Sequence, residues 1–230
     1  MTALQDLLAT RPALLLDFDG PVCSVFAGLP SRQVAKQLSQ AIGIPLPPEL
    51  GATSDPFEIL EYAATFSPSV AEATEQQLTR LEIEAVSEAM PTPFAHSIIR
   101  RASTRQEVAI VSNNSTAAIE AYLRAYDLRT AVSGIYARTS ASTPLKPAPY
   151  LLNQALAELG YRPDEATFIG DSITDIQAAH AAGLPAIAFA NKPGKAEQFA
   201  PHKPATIFEL MFELSEALPT ETRTTLYRQG

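Results

Sequence analysis

Tryptophan is absent from this 230-residue chain, cysteine occurs once and histidine three times. With Cys23 alone, neither an intrachain disulfide nor a cluster of thiolate metal ligands can form. His96, His180 and His202 fall in unrelated segments without ligand spacing. Long apolar runs are missing too: nothing approaches the roughly 20 residues that span a bilayer. The first stretch, MTALQDLLATRPALLL, is broken by Asp6 and Arg11 and lacks the layout of a signal peptide. A cytoplasmic protein without a membrane partner is expected. Positive charge is the scarcer sign, with 17 Lys and Arg against 25 Asp and Glu and a formal net charge of -8. That deficit speaks against nucleic acid, which rewards clustered Lys and Arg. A small anionic substrate stays compatible, since a local pocket can be positive on an acidic protein.

What is present suits a globular α/β protein. The hydrophobic fraction is 46% and the charged fraction 18%, and the length allows one large domain or a domain with a sizeable insert. Short, continuous apolar runs at Ala13–Leu16, 108–111, 167–169 and Ala186–Phe189 read as buried parallel strands, with a weaker candidate at 134–137. Helical periodicity lies between them. Ala118, Ile119, Tyr122, Leu123 and Tyr126 share one face, as do Leu152, Ala155, Leu156 and Leu159. The helix expected at 173–182 stops at Gly183, with Pro185 behind it. From residue 108 onward the alternation predicts a parallel sheet covered on both faces. The first strand is followed instead by helix signals alone, at 31–42, 56–66 and 68–90, the first two joined by the Pro-rich IPLPPELGATSDP. The reading is a Rossmann-like α/β core of residues 1–23 and 92–230 with an all-helical insert at 24–91. The stretch ATIFELMFELSEAL near the end reads as an amphipathic helix that packs on the core.

Polar residues of one kind follow the expected strands. LLLDFDGPVC drives a leucine run into Asp17 and Asp19; VAIVSNNS delivers Ser112 and Asn113; TPLKPAPY places Lys146 ahead of a helix; TFIGDSITDI delivers Asp171 and Asp175. Ligands of open parallel sheets sit beyond the carboxyl ends of the strands, so these groups are expected to converge. Carboxylates at the end of a buried strand are unfavourable unless positive charge offsets them. A divalent cation together with Lys146 does so, which describes a magnesium site beside a phosphate site.

DFDG, SNN, KPAP and GDSITD, in that order and each after an expected strand or before an expected helix, resemble the four motifs of the haloacid dehalogenase (HAD) superfamily. The helical insert resembles its C1-type cap, in the branch of the phosphoglycolate phosphatases and β-phosphoglucomutases. The resemblance implies a Mg2+-dependent phosphatase acting on a small phosphate monoester through an aspartyl-phosphate. Asp17 would be the nucleophile. Asp19 would be the general acid and then the base, with its backbone carbonyl at the metal. Asp17 and Asp171 would hold the ion directly and Asp175 through water. Ser112 and the Asn113 N–H would bind the phosphoryl oxygens, and Lys146 would neutralise charge between phosphate and nucleophile. Asp19 separates this form from the dehalogenases, which lack an aspartate there. Pro21 departs from the threonine most relatives carry, and predicts a stiffer turn into the insert. Two other readings use the same residues: a phosphomutase acting on a sugar phosphate, and a protein that binds a phosphorylated ligand without turning it over.

Other residues have plainer readings. Cys23 reads as a small buried hydrophobe, His180 as structural, and Arg100, Arg101 and Arg105 as complements to a helix end. Asp175 also suits the first turn of a helix. Arg32, Lys36 and Arg80 are candidate contacts to the substrate beyond its phosphate, on helices whose charges mostly face water.

Overall fold

The computed structural model describes residues 2–219; the core assignment to 92–230 therefore runs past it, and 220–230 lie outside the described residues. Thr2 caps α1 (Ala3–Thr10) through a capping box with Gln5, and the apolar run follows as β1 (Ala13–Leu16). A two-residue strand, β2 (Cys23–Ser24), leads into α2 (Ser31–Ala41), α3 (Pro48–Gly51), α4 (Pro56–Ala64) and α5 (Pro68–Ser87). The chain returns through β3 (Met90–Pro91) to α6 (Ala95–Ser103), β4 (Glu107–Ser115), α7 (Thr116–Ala125) and β5 (Gly134–Arg138). It finishes with α8 (Tyr150–Leu159), β6 (Ala166–Gly170), α9 (Ile173–Ala181), β7 (Ala186–Phe189), α10 (Lys195–Phe199), β8 (Thr206–Phe208) and α11 (Met211–Ala217).

Six parallel strands form one sheet in the order β5-β4-β1-β6-β7-β8. Burial on both faces explains why the strands read as unbroken apolar runs. Leu14 and Leu16 pack with Val108, Ile110, Ile99 and Ile119 on one side, while Leu15, Ala109, Val111 and Phe168 meet Leu152, Ala155 and Ile176 on the other. Each Leu, Ile, Val or Phe side chain removed from water contributes roughly 1.5–3 kcal/mol. Because β1 is central, its carboxyl end lies between those of β4 and β6, with Leu16 opposite Ile110 on one side and Ile169 on the other.

Three expectations need correction. The segment 24–91 is not free of strand: β2 pairs antiparallel with β3, Cys23 opposite Pro91 and Ser24 opposite Met90. Two residues are too few to show a period of two, and Pro91 removes a donor, so the sequence carries no strand signal there. The helix expected at 68–90 accordingly ends at Ser87, and Met90 joins the strand. The last segment is part strand. Thr206 and Ile207 are β-branched, and Phe208 stacks on Phe189 with ring centroids 4.9 Å apart, so β8 extends the sheet before α11 begins. Among the described residues no helix is long and apolar enough to cross a membrane.

Candidate active site

Asp17 follows β1, and its N–H donates to the Ile169 carbonyl at 2.8 Å, which carries the strand pairing one residue further. Asp171 follows β6, and Asp175 sits in the first turn of α9. One carboxylate oxygen from each of Asp17, Asp171 and Asp175 can be chosen so that all three lie within 4.8 Å of one another. Two glycines permit this crowding. Gly20 has φ +100°, and a Cβ there would collide with the Asp171 carboxyl; a Cβ on Gly170 would collide with that of Asp175.

Lys146 is buried among these acids. Its Nζ lies 2.8 Å from Asp17 Oδ1 and 2.6 Å from Asp175 Oδ1, and 5.3 Å from the centre of the Phe168 ring. Asp175 divides its two oxygens between tasks. Oδ2 accepts from the Asp171 and Ser172 N–H groups and the Ser172 hydroxyl, which is the first-turn role; Oδ1 faces Lys146. Asn113 uses its side chain to hold the lysine's backbone: Oδ1 accepts from Lys146 N–H at 2.8 Å, and Nδ2 donates to the Lys146 carbonyl at 3.2 Å. Ser112 is buried at the end of the regular β4–β5 pairing, where the register shifts before Ser115. Asp19 stands apart from the three-carboxylate group, half-buried, with Oδ1 accepting from Val25 N–H at 2.9 Å.

Burial decides the acidities. It pushes Asp17 up to about 7, against the pull of Lys146 and with the added repulsion of Asp175 and Asp171. Burial likewise pushes Asp19 up to about 6, against the Val25 hydrogen bond. For Lys146, burial alone favours the neutral amine, but the Asp17 and Asp175 charges reverse this and hold it above its ordinary value. A cavity of about 390 Å3 lies over these groups; the start of α4 forms its opposite wall. Asp17, Asp19, Ser112, Asn113, Lys146 and Asp171 all line it. Hard oxygen donors in this number suit Mg2+. Asp17, Asp171 and Asp175 bring three carboxylate oxygens within 4.8 Å of one another, more negative charge than Lys146 alone offsets, so the residues present fit the ion.

The family model described as haloacid dehalogenase-like hydrolase matches residues 58–189, more than half of the chain. The chain belongs to this family. Among curated relatives, the phosphoglycolate phosphatase of Synechococcus elongatus is 34% identical over 79 residues, 34% of this chain and 35% of that protein. The phosphoglycolate phosphatase of Salmonella choleraesuis is 30% identical over 109 residues, 47% of this chain and 43% of that one. The alignments thus span less than half of either relative. CbbY from Rhodobacter sphaeroides, solved in complex with phosphate, superposes with a TM-score of 0.66 at 21% identity, covering 90% of this chain and 99% of that one. That is a likeness of fold.

Within this HAD-like framework several residues escape sequence reasoning. Asn191 Nδ2 and Lys195 Nζ both donate to Asp171 Oδ2, at 2.9 and 2.6 Å, and Lys195 also reaches the Asp171 carbonyl. They follow β7, a strand end that the motifs do not include. Arg138, at the end of β5, is fully buried between Glu75 and Glu82 of α5, with both contacts at 2.5 Å. Glu82 also accepts from Asn114 Nδ2 and Ser115 N–H, and Asn114 Oδ1 accepts from the Ser112 hydroxyl at 3.3 Å. Only the seven-residue spacing of Glu75 and Glu82, on the face that carries Leu78 and Ala85, hinted at buried acids there.

The remaining candidates lie elsewhere. Arg32 and Lys36 line a separate surface groove, and Arg80 is exposed outside the cavity lining. Arg100 donates to the Tyr126 and Asp127 carbonyls, and Arg101 to those of Ser215 and Leu218. Cys23 is free and fully buried, its thiol pushed up by burial. His96 bonds the Tyr122 hydroxyl at 2.8 Å, while His180 lies on the exposed side of α9 rather than in the core.

Proposed function

We propose that this protein is a phosphatase that hydrolyses a small phosphate monoester through an aspartyl-phosphate on Asp17, with Mg2+ as its cofactor. The observation that carries the reading is the position of Lys146 Nζ between Asp17 and Asp175 in the floor of the cavity. A cation 2.8 Å from the buried Asp17 Oδ1 positions the nucleophile and neutralises charge beside it, which is how phosphoryl transfer is assisted. Asp17 and Asp171 would hold the ion directly, with the backbone carbonyl of Asp19, and Asp175 through water; when bound, the ion supplies neutralisation of phosphoryl charge. The Ser112 hydroxyl and the Asn113 N–H orient the phosphoryl oxygens, and the Asn113 side chain keeps Lys146 in place.

Asp17 attacks phosphorus as the bond to the leaving oxygen breaks, and Asp19 delivers its proton to that oxygen. Asp19, then ionised, takes a proton from the water that releases phosphate from Asp17. An acidity near 6 suits both duties close to neutral pH. Helices α2–α5, within residues 24–91, act as the cap that closes on the substrate, hinged at the β2–β3 pair. The phosphoglycolate phosphatases among the relatives support the reaction class.

The test is phosphate release from a panel of small monoesters and an aryl phosphate, with and without Mg2+, for wild type and Asp17→Asn. Metal-dependent release that falls by about 10^3-fold or more in the variant is expected. Release that persists in Asp17→Asn overturns the phosphoaspartate route, and turnover that requires a bisphosphate makes the protein a mutase.

A further inference from the structure

The cavity is lined unequally. Its floor carries Asp17, Asp19, Asp171 and the single lysine, Lys146, already engaged by two carboxylates. The opposite wall, from the start of α4, adds Asp55, Glu58 and Glu61 around Phe57. None of these three wall acids has an ion-pair partner among the described residues. Asp55 Oδ1 accepts from the Phe57 N–H and Glu58 Oε2 from the Thr53 hydroxyl. Partial burial raises Asp55 and Glu61 above the ordinary carboxylate range, and the neighbouring acids raise them further. Arg32, Lys36 and Arg80, the cations of the insert that could have met a negative substrate, face elsewhere. Wall and floor line one cavity, so the part of a ligand that lies beyond the floor groups meets these acids.

A phosphate ester bound with its phosphoryl group at Ser112 and Lys146 must direct its alcohol part at this wall. Taking the phosphatase reading as its basis, we propose that the alcohol part of the substrate bears a cationic group, an ammonium, which Asp55, Glu58 and Glu61 receive, with its carbon chain against Phe57. The same wall disfavours esters whose alcohol part ends in a carboxylate, because like charges are brought together in the cleft and no lysine or arginine of the wall offsets them. The phosphoglycolate processed by the named relatives is an ester of that disfavoured kind. The proposal therefore parts from the activity their names suggest, while it keeps their chemistry.

The experiment compares three esters of similar size: ethanolamine phosphate (cationic), glycerol phosphate (neutral) and phosphoglycolate (anionic). Phosphate release is measured with Mg2+, and binding of each ester to Asp17→Asn protein is measured by calorimetry. Ethanolamine phosphate is expected to exceed phosphoglycolate in kcat/KM by about tenfold or more, with glycerol phosphate between them. The ratio should shrink as salt is added. It should collapse toward one in the Asp55→Asn/Glu58→Gln/Glu61→Gln variant, in which asparagine keeps the cap of α4. Turnover of phosphoglycolate equal to or better than that of ethanolamine phosphate overturns the proposal and leaves the phosphatase reading standing. The absence of any turnover, with the same charge preference in binding, overturns the phosphatase reading and supports the wall's role. Neither turnover nor binding overturns both. A preference unchanged in the triple variant also overturns the proposal.

Discussion

Arg138 offers the sharpest test of how the helical insert is held to the sheet. Its side chain is fully buried, and so is that of Glu82, while Glu75 keeps 7% of its side chain exposed. One positive charge thus serves two carboxylates out of reach of water. Arg138→Met keeps much of the apolar stem but leaves both acids without a counter-charge. Removing one partner from a buried ion pair costs about 3–5 kcal/mol. The upper part of that range is moderated because Glu75 still accepts from the Thr79 hydroxyl and Glu82 from Asn114 and Ser115. In a chain of this size that loss lowers the melting temperature by roughly 6–20 °C, read by circular dichroism and checked by urea titration. Charge and packing are separated by the triple variant Glu75→Gln/Glu82→Gln/Arg138→Met. It removes every charge of the network, and the amide oxygen that replaces the Glu82 carboxylate can still accept from the Ser115 N–H. The triple variant is expected to be more stable than Arg138→Met alone. A single-variant loss below about 1 kcal/mol, or a triple variant no better than the single, would falsify the reasoning that an uncompensated buried charge sets the magnitude.

Three further outcomes are expected. Ser112→Ala removes the hydroxyl next to the proposed phosphoryl position and should lower kcat/KM by about 10^2-fold, measured by phosphate release, with little change in melting temperature. Gly20→Ala forces a side chain onto a backbone at φ +100° and into the Asp171 carboxyl; the Mg2+ concentration for half-maximal activity should rise by about tenfold or more, and an unchanged requirement would count against Asp171 as a ligand. Burial raises Asp17 to about 7 and Asp19 to about 6 in the metal-free protein, so the folded state retains protons that the unfolded chain has released. The stability these groups contribute is full below about pH 4 and is lost as pH rises through 6 and 7. Added Mg2+ favours the ionised carboxylates, so its stabilising shift should be larger at pH 8 than at pH 5; melts at both, with and without the ion, decide.

How legible the molecule was depended on whether a residue announced itself locally. The strands of the sheet did so, because burial on both faces leaves unbroken apolar runs, and Ala186–Phe189 carries the same bounds in sequence and structure. The floor of the cavity was legible for a related reason. Each of its polar groups follows such a run or opens a helix, and a parallel sheet brings those ends together. Arg138, Glu75 and Glu82 were not legible, since 63 and 56 residues separate the arginine from its partners and each looks like a solvated charge until α5 is docked. Asn191 and Lys195 were missed because they follow a strand whose end bears no motif.

The tail illustrates the opposite failure. In ATIFELMFELSEAL the apolar spacing fits a helix, yet β7 leaves a parallel edge open, and Thr206–Phe208 pairs with it in register, Phe208 opposite Phe189. A three-residue strand at a sheet edge is decided by the partner it finds rather than by its own period. The same separation bears on the insert, whose wall and the sheet's floor lie on different elements. The charge of this wall can change without disturbing β1, β4 or β6, because the side chains of Asp55, Glu58 and Glu61 lie outside the buried core and only Asp55 has a structural task, the cap of α4. The floor of such a protein therefore states its chemistry, and the wall facing it states what the chemistry is done to.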